Sequence, residues 1–153
     1  MKHIKAPNSY PKNSFKVFLG GSIDMGSAEN WQDRVAADLS SYDDDVIILN
    51  PRRDDWDSSW KQDPTPGTQF YEQVDWELTA QADSTILVYY FADSSASPIT
   101  LLELGLFGTS FNTIVYCTPA FYRYGNVRMV CDRYGIPILE TYETFIEAIK
   151  ERI

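Results

Sequence analysis

The segment STILVYYF, residues 84–91, is apolar on both of its faces instead of alternating between apolar and polar side chains. Four other runs have the same character: FKVFLG at 15–20, VIILN at 46–50, TIVYCT at 113–118 and the shorter IPIL at 136–139. Strands that are apolar throughout are typical of parallel sheets that are covered by helices on both faces. The sequence therefore predicts a parallel sheet of five strands.

Segments with helical character alternate with these runs. Helices are expected at residues 28–39, at 68–82, from Pro98 onward and at 142–153. The alternation of strands and helices predicts a three-layer α/β/α sandwich of the flavodoxin-like kind. We expect this single domain to span residues 14–153. A flexible N-terminal arm, which is polar and contains two prolines, is expected to precede it at residues 1–13.

Net charge restricts the partners of the chain, because its 153 residues carry a formal charge of −9 at pH 7. Such an average field repels nucleic-acid polymers but leaves room for a small nucleoside or nucleotide at a local site. Two cysteines and one histidine form no recognisable metal-ligand set. The sequence has neither an apolar signal region nor an apolar run that is long enough to span a membrane. We therefore expect a cytoplasmic protein that uses no metal and no organic cofactor.

One carboxylate interrupts the apolar segment SPITLLELGLFG, residues 97–108. Ser97 is a favourable N-cap and Pro98 suits the first helical position, so a helix should begin at Pro98 and carry Glu103 in its second turn. Leucines flank Glu103 on both sides. Its side chain therefore faces either a partly dry crevice or, in the simpler interpretation, solvent next to an arginine. A position in a crevice would make this carboxylate a candidate catalytic group.

A second carboxylate, Asp75, lies in the helix that precedes the third predicted strand. Two carboxylates that meet in one cleft can break a glycosidic bond, because one attacks the anomeric carbon while the other handles the proton of the leaving group. By itself, Asp75 is more simply an ordinary residue of a helix surface. The predicted chemistry therefore depends on whether the fold brings Asp75 and Glu103 together.

Loops after the predicted strands supply candidate binding residues, since ligands of parallel sheets bind beyond the carboxyl ends of the strands. In the segment GGSIDMGS, the backbone at Gly21, Ser22 and Ile23 could approach a ligand closely and hold an oxyanion. A plain strand-to-helix turn is the alternative for this segment. Arg52 could bind phosphate or neutralise the aspartates near it, and Trp56 could stack on a base or cover the edge of the core.

Five segments occur in order along the chain: FLGGSIDMGSAENWQ, ILNPRRDDWD, QVDWELTAQAD, SPITLLELGLF and YRYGNVRMVC. Together they resemble the nucleoside 2-deoxyribosyltransferase-like family, in particular its small microbial and phage branch. The resemblance implies a flavodoxin-like fold and cleavage of the N-glycosidic bond of 2′-deoxynucleosides, with transfer of the deoxyribosyl group to another nucleobase. It also implies homodimers or higher homo-oligomers in which the sites are shared between subunits.

The resemblance further implies roles for individual residues. Glu103 occupies the position of the nucleophile in the ELG motif, and Asp75 that of an acid that contacts the base and transfers a proton. Asn126 matches a residue that a neighbouring subunit donates. Ser97 stands where the best-known transferases carry an aspartate that binds the sugar hydroxyl. A serine at this position is similar to the phosphate-binding serine of relatives that hydrolyse nucleoside 5′-monophosphates, and GGSI is similar to their phosphate loop.

Three alternatives to deoxyribosyl transfer therefore stay open. The first is hydrolysis of a (deoxy)nucleoside 5′-monophosphate to a base and a sugar phosphate, which Ser97 favours. The second is cleavage of the nicotinamide riboside bond of NAD, since a glutamate in the crevice of a flavodoxin-like fold can also attack that bond. The third is a non-catalytic module that binds a nucleoside or nucleotide without turnover.

Overall fold

Strands and helices alternate along the chain. The computed structural model describes residues 1–23, 29–42, 45–57, 59–110 and 112–153. Within these residues the strands are β1 (Lys2–Lys5), β2 (Phe15–Gly21), β3 (Val46–Asn50), β4 (Ile86–Phe91), β5 (Asn112–Cys117) and β6 (Ile138–Leu139). The helices are α1 (Trp31–Asp38), α2 (Gln69–Ala82), α3 (Pro98–Phe107), α4 (Tyr124–Tyr134) and α5 (Tyr142–Lys150).

The six strands of the described residues form one parallel sheet in the order β1-β3-β2-β4-β5-β6. Without the edge strand β1, consecutive numbering turns this order into 2-1-3-4-5, the order of flavodoxin-like folds. The connections from β2 and β4 leave in opposite directions, so a crevice opens at the carboxyl ends of these two neighbours. The three-layer α/β class predicted from the sequence is thus confirmed, and this crevice is the expected place for a ligand.

The sheet has one strand more than the five predicted, and the additional strand lies in the segment predicted to be a flexible arm. The arm prediction is wrong for β1, which pairs with β3 from Lys2 opposite Ile47 to Lys5 opposite Asn50. The sequence KHIK has a single apolar residue, so a search for apolar runs passes over it. Charged side chains are nevertheless common on edge strands, because one side of such a strand faces solvent.

Helices cover both faces of the sheet, which explains why its central strands are apolar throughout. On one face, α1 and α5 bury Val35 and Phe145 against the strands. On the other face, Ala80 of α2, Leu104 of α3 and Cys131 of α4 belong to a second core cluster. Helix α3, which contains the candidate nucleophile Glu103, therefore belongs to the layer on this second face.

Two helices differ from the sequence predictions. The start of α1 is Trp31, with Asn30 as its cap, and Ala28, where the helix was expected to begin, lies outside the described residues. The helix α4 was not predicted, since it contains the poor helix formers Gly125 and Asn126 near its start. No helix in the described ranges is both long enough and apolar enough to cross a membrane.

Candidate active site

Three serine hydroxyls meet in the crevice between β2 and β4. The Oγ atom of Ser97 lies 2.6 Å from that of Ser22 and 2.8 Å from that of Ser95. The Ser22 hydroxyl also accepts a hydrogen bond from the backbone N–H of Ala92. All three serines, which we call the serine cluster, are buried. Hydroxyl groups concentrated at a switch in strand order are suited to binding a polar part of a ligand.

Ser97 joins β4 to α3 in a backbone conformation that is unusual for a residue with a side chain. Its φ and ψ are both 46°, and it is the one non-glycine residue of positive φ in the described part of the chain. The helix begins at Pro98, as predicted, but the predicted capping bond from the Ser97 side chain is absent. Its hydroxyl contacts the other two serines instead. Such strain costs roughly 1–3 kcal/mol and is common at functional sites.

The end of β2 approaches its neighbours so closely that only glycine fits at position 21. A Cβ atom on Gly21 would lie 2.5 Å from the carbonyl oxygen of Tyr90 and 2.7 Å from the ring of Trp31. Ser22 is held on both sides, because its N–H donates to the Tyr90 carbonyl and its own carbonyl accepts from the Trp31 indole. The first half of the GGSIDMGS segment is therefore rigidly placed, and residues 24–28 lie outside the described residues.

Glu103 points into the protein, whereas two leucines of the same helix, Leu102 and Leu106, point out. The glutamate is only 8% exposed, whereas Leu102 and Leu106 are 67% and 58% exposed. This is the reverse of an ordinary amphipathic helix, in which charged residues face water. Of the two interpretations offered by the sequence, the orientation matches the partly dry crevice and not the solvated surface.

The surroundings of Glu103 are polar but uncharged, apart from one other carboxyl group. Burial raises the pKa of Glu103 to about 8, the charge of Glu77 adds to the increase, and a hydrogen bond with the Gln81 side chain opposes it. Tyr89 of β4 donates its hydroxyl to the Gln81 side-chain oxygen over 2.6 Å. In the described residues, no arginine or lysine forms an ion pair with Glu103. A buried carboxyl without a cation tends to keep a proton at neutral pH.

The carboxyl group that faces Glu103 belongs to Glu77 of α2. Gln73, Glu77 and Gln81 recur at every fourth position, so that they share the inward face of the helix. Gln73 donates through Nε2 to Oε1 of Glu77 over 2.5 Å and to the backbone carbonyl of Pro51 over 2.8 Å. Burial raises the pKa of Glu77 to about 7, and the bond from Gln73 opposes this increase. We call Glu77 and Glu103 the carboxyl pair.

Asp75 lies on the other side of α2 and does not meet Glu103. Two positions separate it from Glu77, which corresponds to a rotation of about 200° around the helix. Its side chain is exposed and lines an open hollow of about 680 Å³ together with Tyr10 and Trp76. The sequence contained the signal for Glu77, because Gln73, Glu77 and Gln81 form a polar stripe. The sequence analysis instead chose Asp75, from its place in this helix and from the family resemblance.

The other candidate binding residues lie in the loops that follow β2 and β3, at the carboxyl ends of these strands. After β3, the Arg52 guanidinium donates to the backbone carbonyl of Glu29 over 3.3 Å. Trp56 is 40% exposed, and its ring centroid lies 5.2 Å from that of Trp60. Ile23 is half-buried at the end of the described part of the β2 loop. These side chains stand at the carboxyl ends of neighbouring strands, whereas Asp75 stands apart from them.

Asn126 is exposed on α4, in the middle of an apolar surface. Met129 and Val130 follow it by three and four positions on the same face and are 76% and 40% exposed. Tyr122, 59% exposed, precedes it by one turn and donates its hydroxyl to the backbone carbonyl of Ala96 beside the serine cluster. Within the described residues of a single chain, Asn126 therefore lies apart from the carboxyl pair.

Comparison with known proteins gives one family and one fold. The sequence model of a family described as nucleoside 2-deoxyribosyltransferase like matches residues 14–121. The structure is similar to the crystal structure of a conserved protein from Enterococcus faecalis V583, with a TM-score of 0.62 and 12% identity over 92% of this chain and 99% of that chain. At this identity the similarity concerns the fold alone. No curated protein matches the sequence significantly.

Proposed function

Since the chain belongs to the nucleoside 2-deoxyribosyltransferase-like family, we propose that it cleaves the N-glycosidic bond of a 2′-deoxynucleoside and transfers the deoxyribosyl group to another nucleobase. Glu103 is the proposed nucleophile. The observation that carries this proposal is the burial of its carboxyl group without a cation in the described residues, while Leu102 and Leu106 of the same helix face solvent. Burying a carboxyl in this way is costly, and such costs are typical of functional sites.

The proposed reaction has two displacement steps at the anomeric carbon. In the first, the ionised Glu103 attacks C1′ as the bond to the base breaks, and the departing base nitrogen takes up a proton. In the second, a nitrogen of the incoming base attacks C1′ of the glycosyl ester, gives up a proton and releases the Glu103 carboxylate. Two inversions give net retention of configuration at C1′.

The spacing of the serine cluster and Glu103 suits a nucleoside. Glu103 follows Ser97 by six positions along α3, which corresponds to about 9 Å of helix rise. This distance is comparable with the span from the 5′ substituent of a nucleotide to a group that attacks C1′. We therefore place the 5′ end of the sugar at the serine cluster and at the backbone of Gly21 and Ile23.

The residues after β3 are proposed to complete the binding site. Trp56 offers an exposed indole on which a base can stack. Arg52 carries a positive charge at the same edge of the sheet, where it can attract the phosphate of a nucleotide. Asn126 of a second copy of the chain is proposed to contact the bound substrate and complete the site.

Hydrolysis of a nucleoside 5′-monophosphate is the second candidate function, and the serine cluster favours it. Three buried hydroxyl groups at the start of α3 can donate hydrogen bonds to a phosphate, and the positive end of the helix dipole favours a negative charge there. An aspartate at position 97 would repel the same phosphate. In this reaction water, instead of a base, attacks the glycosyl ester.

Oligomers are proposed to form through the exposed apolar faces of α3 and α4. Their residues are Ile99, Leu102, Leu106, Tyr122, Met129 and Val130. Monomeric proteins rarely leave large apolar patches on their surface. A second copy that covered this surface would also bring its own Asn126 towards the site.

The central experiment replaces Glu103 with glutamine, which preserves the size of the side chain and removes the nucleophile. The protein is incubated with thymidine and adenine, and the released thymine and newly formed deoxyadenosine are separated by chromatography. We expect the rate to fall roughly 10³-fold or more, since removal of a catalytic nucleophile abolishes the covalent route.

The matched control is Glu147→Gln, which changes an exposed glutamate on α5 and should leave the rate unchanged. Base exchange at a near wild-type rate in the Glu103→Gln protein would contradict the assignment. Tight binding of nucleoside in calorimetry, without any product from the wild-type protein, would instead support a non-catalytic binding module.

A substrate comparison distinguishes the two proposed reactions. The wild-type protein is incubated either with thymidine plus adenine or with thymidine 5′-monophosphate alone. Formation of deoxyadenosine in the first mixture supports transfer. Release of thymine from the monophosphate, with little reaction of thymidine, supports hydrolysis and a phosphate at the serine cluster.

A further inference from the structure

We propose that Glu77 is the acid that protonates the departing base, and that Gln73 holds its carboxyl group in position. This inference rests on the proposed function, in which Glu103 is the nucleophile. It assigns to Glu77 the role that the family resemblance implies for Asp75. As the C1′–N bond breaks, its electron pair stays on the base nitrogen, which receives the proton of the Glu77 carboxyl. The resulting carboxylate takes a proton back from the incoming base.

The direction of the side chains on α2 is the first argument. A general acid must come within hydrogen-bond distance of the atom that it protonates. Glu77 lies on the inward face of α2 with Gln73 and Gln81, both of which are buried. Asp75 is exposed on the opposite side of the helix. Only Glu77 of the two acids faces the nucleophile.

Two glutamines of α2 surround the carboxyl pair. The side-chain amide of Gln81 donates to the backbone carbonyl of Glu77 over 3.3 Å, and the same side chain lowers the pKa of Glu103 against the effect of burial. Its oxygen is fixed by the Tyr89 hydroxyl at 2.6 Å. On the far side, Gln73 binds the Glu77 carboxyl and the backbone after β3. Gln73 therefore holds the Glu77 carboxyl, and Gln81 is the polar side chain that acts on Glu103.

One proton shared between the carboxyl groups gives the nucleophile and the acid at the same pH. In the described residues, in addition to burial, the charge of Glu77 raises the pKa of Glu103, and the charge of Glu103 in turn raises the pKa of Tyr89. Burial raises the pKa of both carboxyls, to about 7 for Glu77 and about 8 for Glu103. Two close carboxyls that ionise in separate steps hold a single proton between them. Because Glu103 has the higher pKa, this proton lies on Glu103 in the free protein. Positive charge that develops on the sugar favours ionisation of Glu103, so that in the proposed reaction the proton passes to Glu77.

Gln73 offers a contact for the base as well as for Glu77. Its Nε2 atom is fully used, whereas its buried Oε1 atom has no hydrogen-bond partner. A buried acceptor without a partner is unfavourable, because the desolvation of the oxygen is not compensated. An amino or ring N–H group of a nucleobase next to Glu77 would satisfy this oxygen.

The test compares two leaving groups in the same variant. Deoxyguanosine needs a proton on its departing base, whereas 7-methyl-2′-deoxyguanosine releases a neutral base without one. We expect Glu77→Gln to lower kcat/KM for deoxyguanosine roughly 100-fold or more and to change the rate for the methylated substrate much less. Because both rates come from one protein preparation, a partial loss of folded protein cancels in their ratio. Glu72→Gln, an exposed change on the same helix, is the control.

The outcomes separate this inference from the proposed function. Equal losses for both substrates in Glu77→Gln would reduce Glu77 to a structural role and overturn the inference, and so would selective loss in Asp75→Asn with Glu77→Gln unaffected. In either case Glu103→Gln still abolishes cleavage and the proposed function stands. If the wild-type protein cleaves no deoxynucleoside, thymidine included, and no nucleoside monophosphate, the proposed function itself fails and the role of Glu77 fails with it.

Discussion

At the scale of single residues, the unusual feature is a carboxyl group that is kept inside the protein at a cost in stability. Glu103 has glutamine and tyrosine side chains around it instead of a cation. Glutamine can donate to an ionised carboxylate and can accept from a protonated one, so this environment tolerates both states. An arginine would hold the carboxylate permanently ionised and would weaken it as a nucleophile.

The raised pKa of Glu103 predicts how stability depends on pH. A carboxyl whose pKa is higher in the folded than in the unfolded protein stabilises the fold at low pH, and this contribution disappears as pH rises through the folded value. Burial raises the pKa of Glu103 from 4.5 to about 8, so the loss occurs between these values. Glutamine at this position cannot ionise, and Glu103→Gln should therefore be more stable than the wild type above pH 8.

The measurement is urea unfolding of both proteins at pH 5 and pH 9. One pKa unit corresponds to about 1.4 kcal/mol, so we expect the advantage of Glu103→Gln to grow by at least about 2 kcal/mol between the two conditions. A difference between the proteins that stays constant with pH would mean that Glu103 titrates normally in the folded state.

At the scale of elements, the junction of β4 and α3 sets the geometry of the site. The strained backbone at Ser97 turns the chain sharply, so that the serine hydroxyls lie at the start of α3 and Glu103 lies in its second turn. The helix then exposes Ile99 and Leu102, which leaves its polar positions for the crevice. One connection thus positions both the proposed 5′ subsite and the proposed nucleophile.

A pair of substitutions at Ser97 separates backbone strain from the function of the hydroxyl. Both Ser97→Ala and Ser97→Gly remove the hydroxyl, but only glycine adopts left-handed backbone without a steric cost. We expect Ser97→Gly to be more stable than Ser97→Ala by about 1 kcal/mol, and both to bind nucleotide more weakly than the wild type. Thermal unfolding and calorimetry with thymidine 5′-monophosphate measure the two effects. Equal melting temperatures for the two variants would mean that the backbone at position 97 is not strained.

The orientation of α2 is the part of the site that the sequence analysis missed. The helix has two neighbouring stripes, about 60° apart, that recur at every fourth position: Phe70, Val74 and Leu78 form one, and Gln73, Glu77 and Gln81 form the other. Apolar periodicity favours burial of the first stripe, yet Leu78 is 40% exposed while Gln73 and Gln81 are buried. The polar stripe turns inward because Tyr89, Glu103 and the backbone after β3 supply its hydrogen-bond partners.

At the scale of the whole molecule, the exposed apolar side chains of α3 and α4 are not covered by the rest of the described chain. The face that they form surrounds Asn126, and it adjoins the serine cluster through Tyr122. Burial of this surface by a second copy would be driven by the hydrophobic effect. The proposed active site and the proposed subunit interface are therefore neighbours.

Met129→Glu should disrupt the proposed oligomer, because it places a charge in the centre of the apolar face. We expect sedimentation velocity to give a monomer for this variant and a larger species for the wild type, with loss of most base exchange. Glu151→Lys changes the charge of an exposed residue on the opposite layer and serves as the control. A wild-type protein that sediments as a monomer at micromolar concentration would contradict the shared site.

Local hydrophobicity determined most of the architecture. The continuous apolar runs identified the central strands, and the Ser97-Pro98 pair marked the start of α3, because these signals depend on adjacent residues. Tertiary structure alone decided that KHIK joins the sheet and that Glu77, not Asp75, faces Glu103. An edge strand and the inward face of a helix are both selected by the partners that they meet, and those partners lie far away in the sequence.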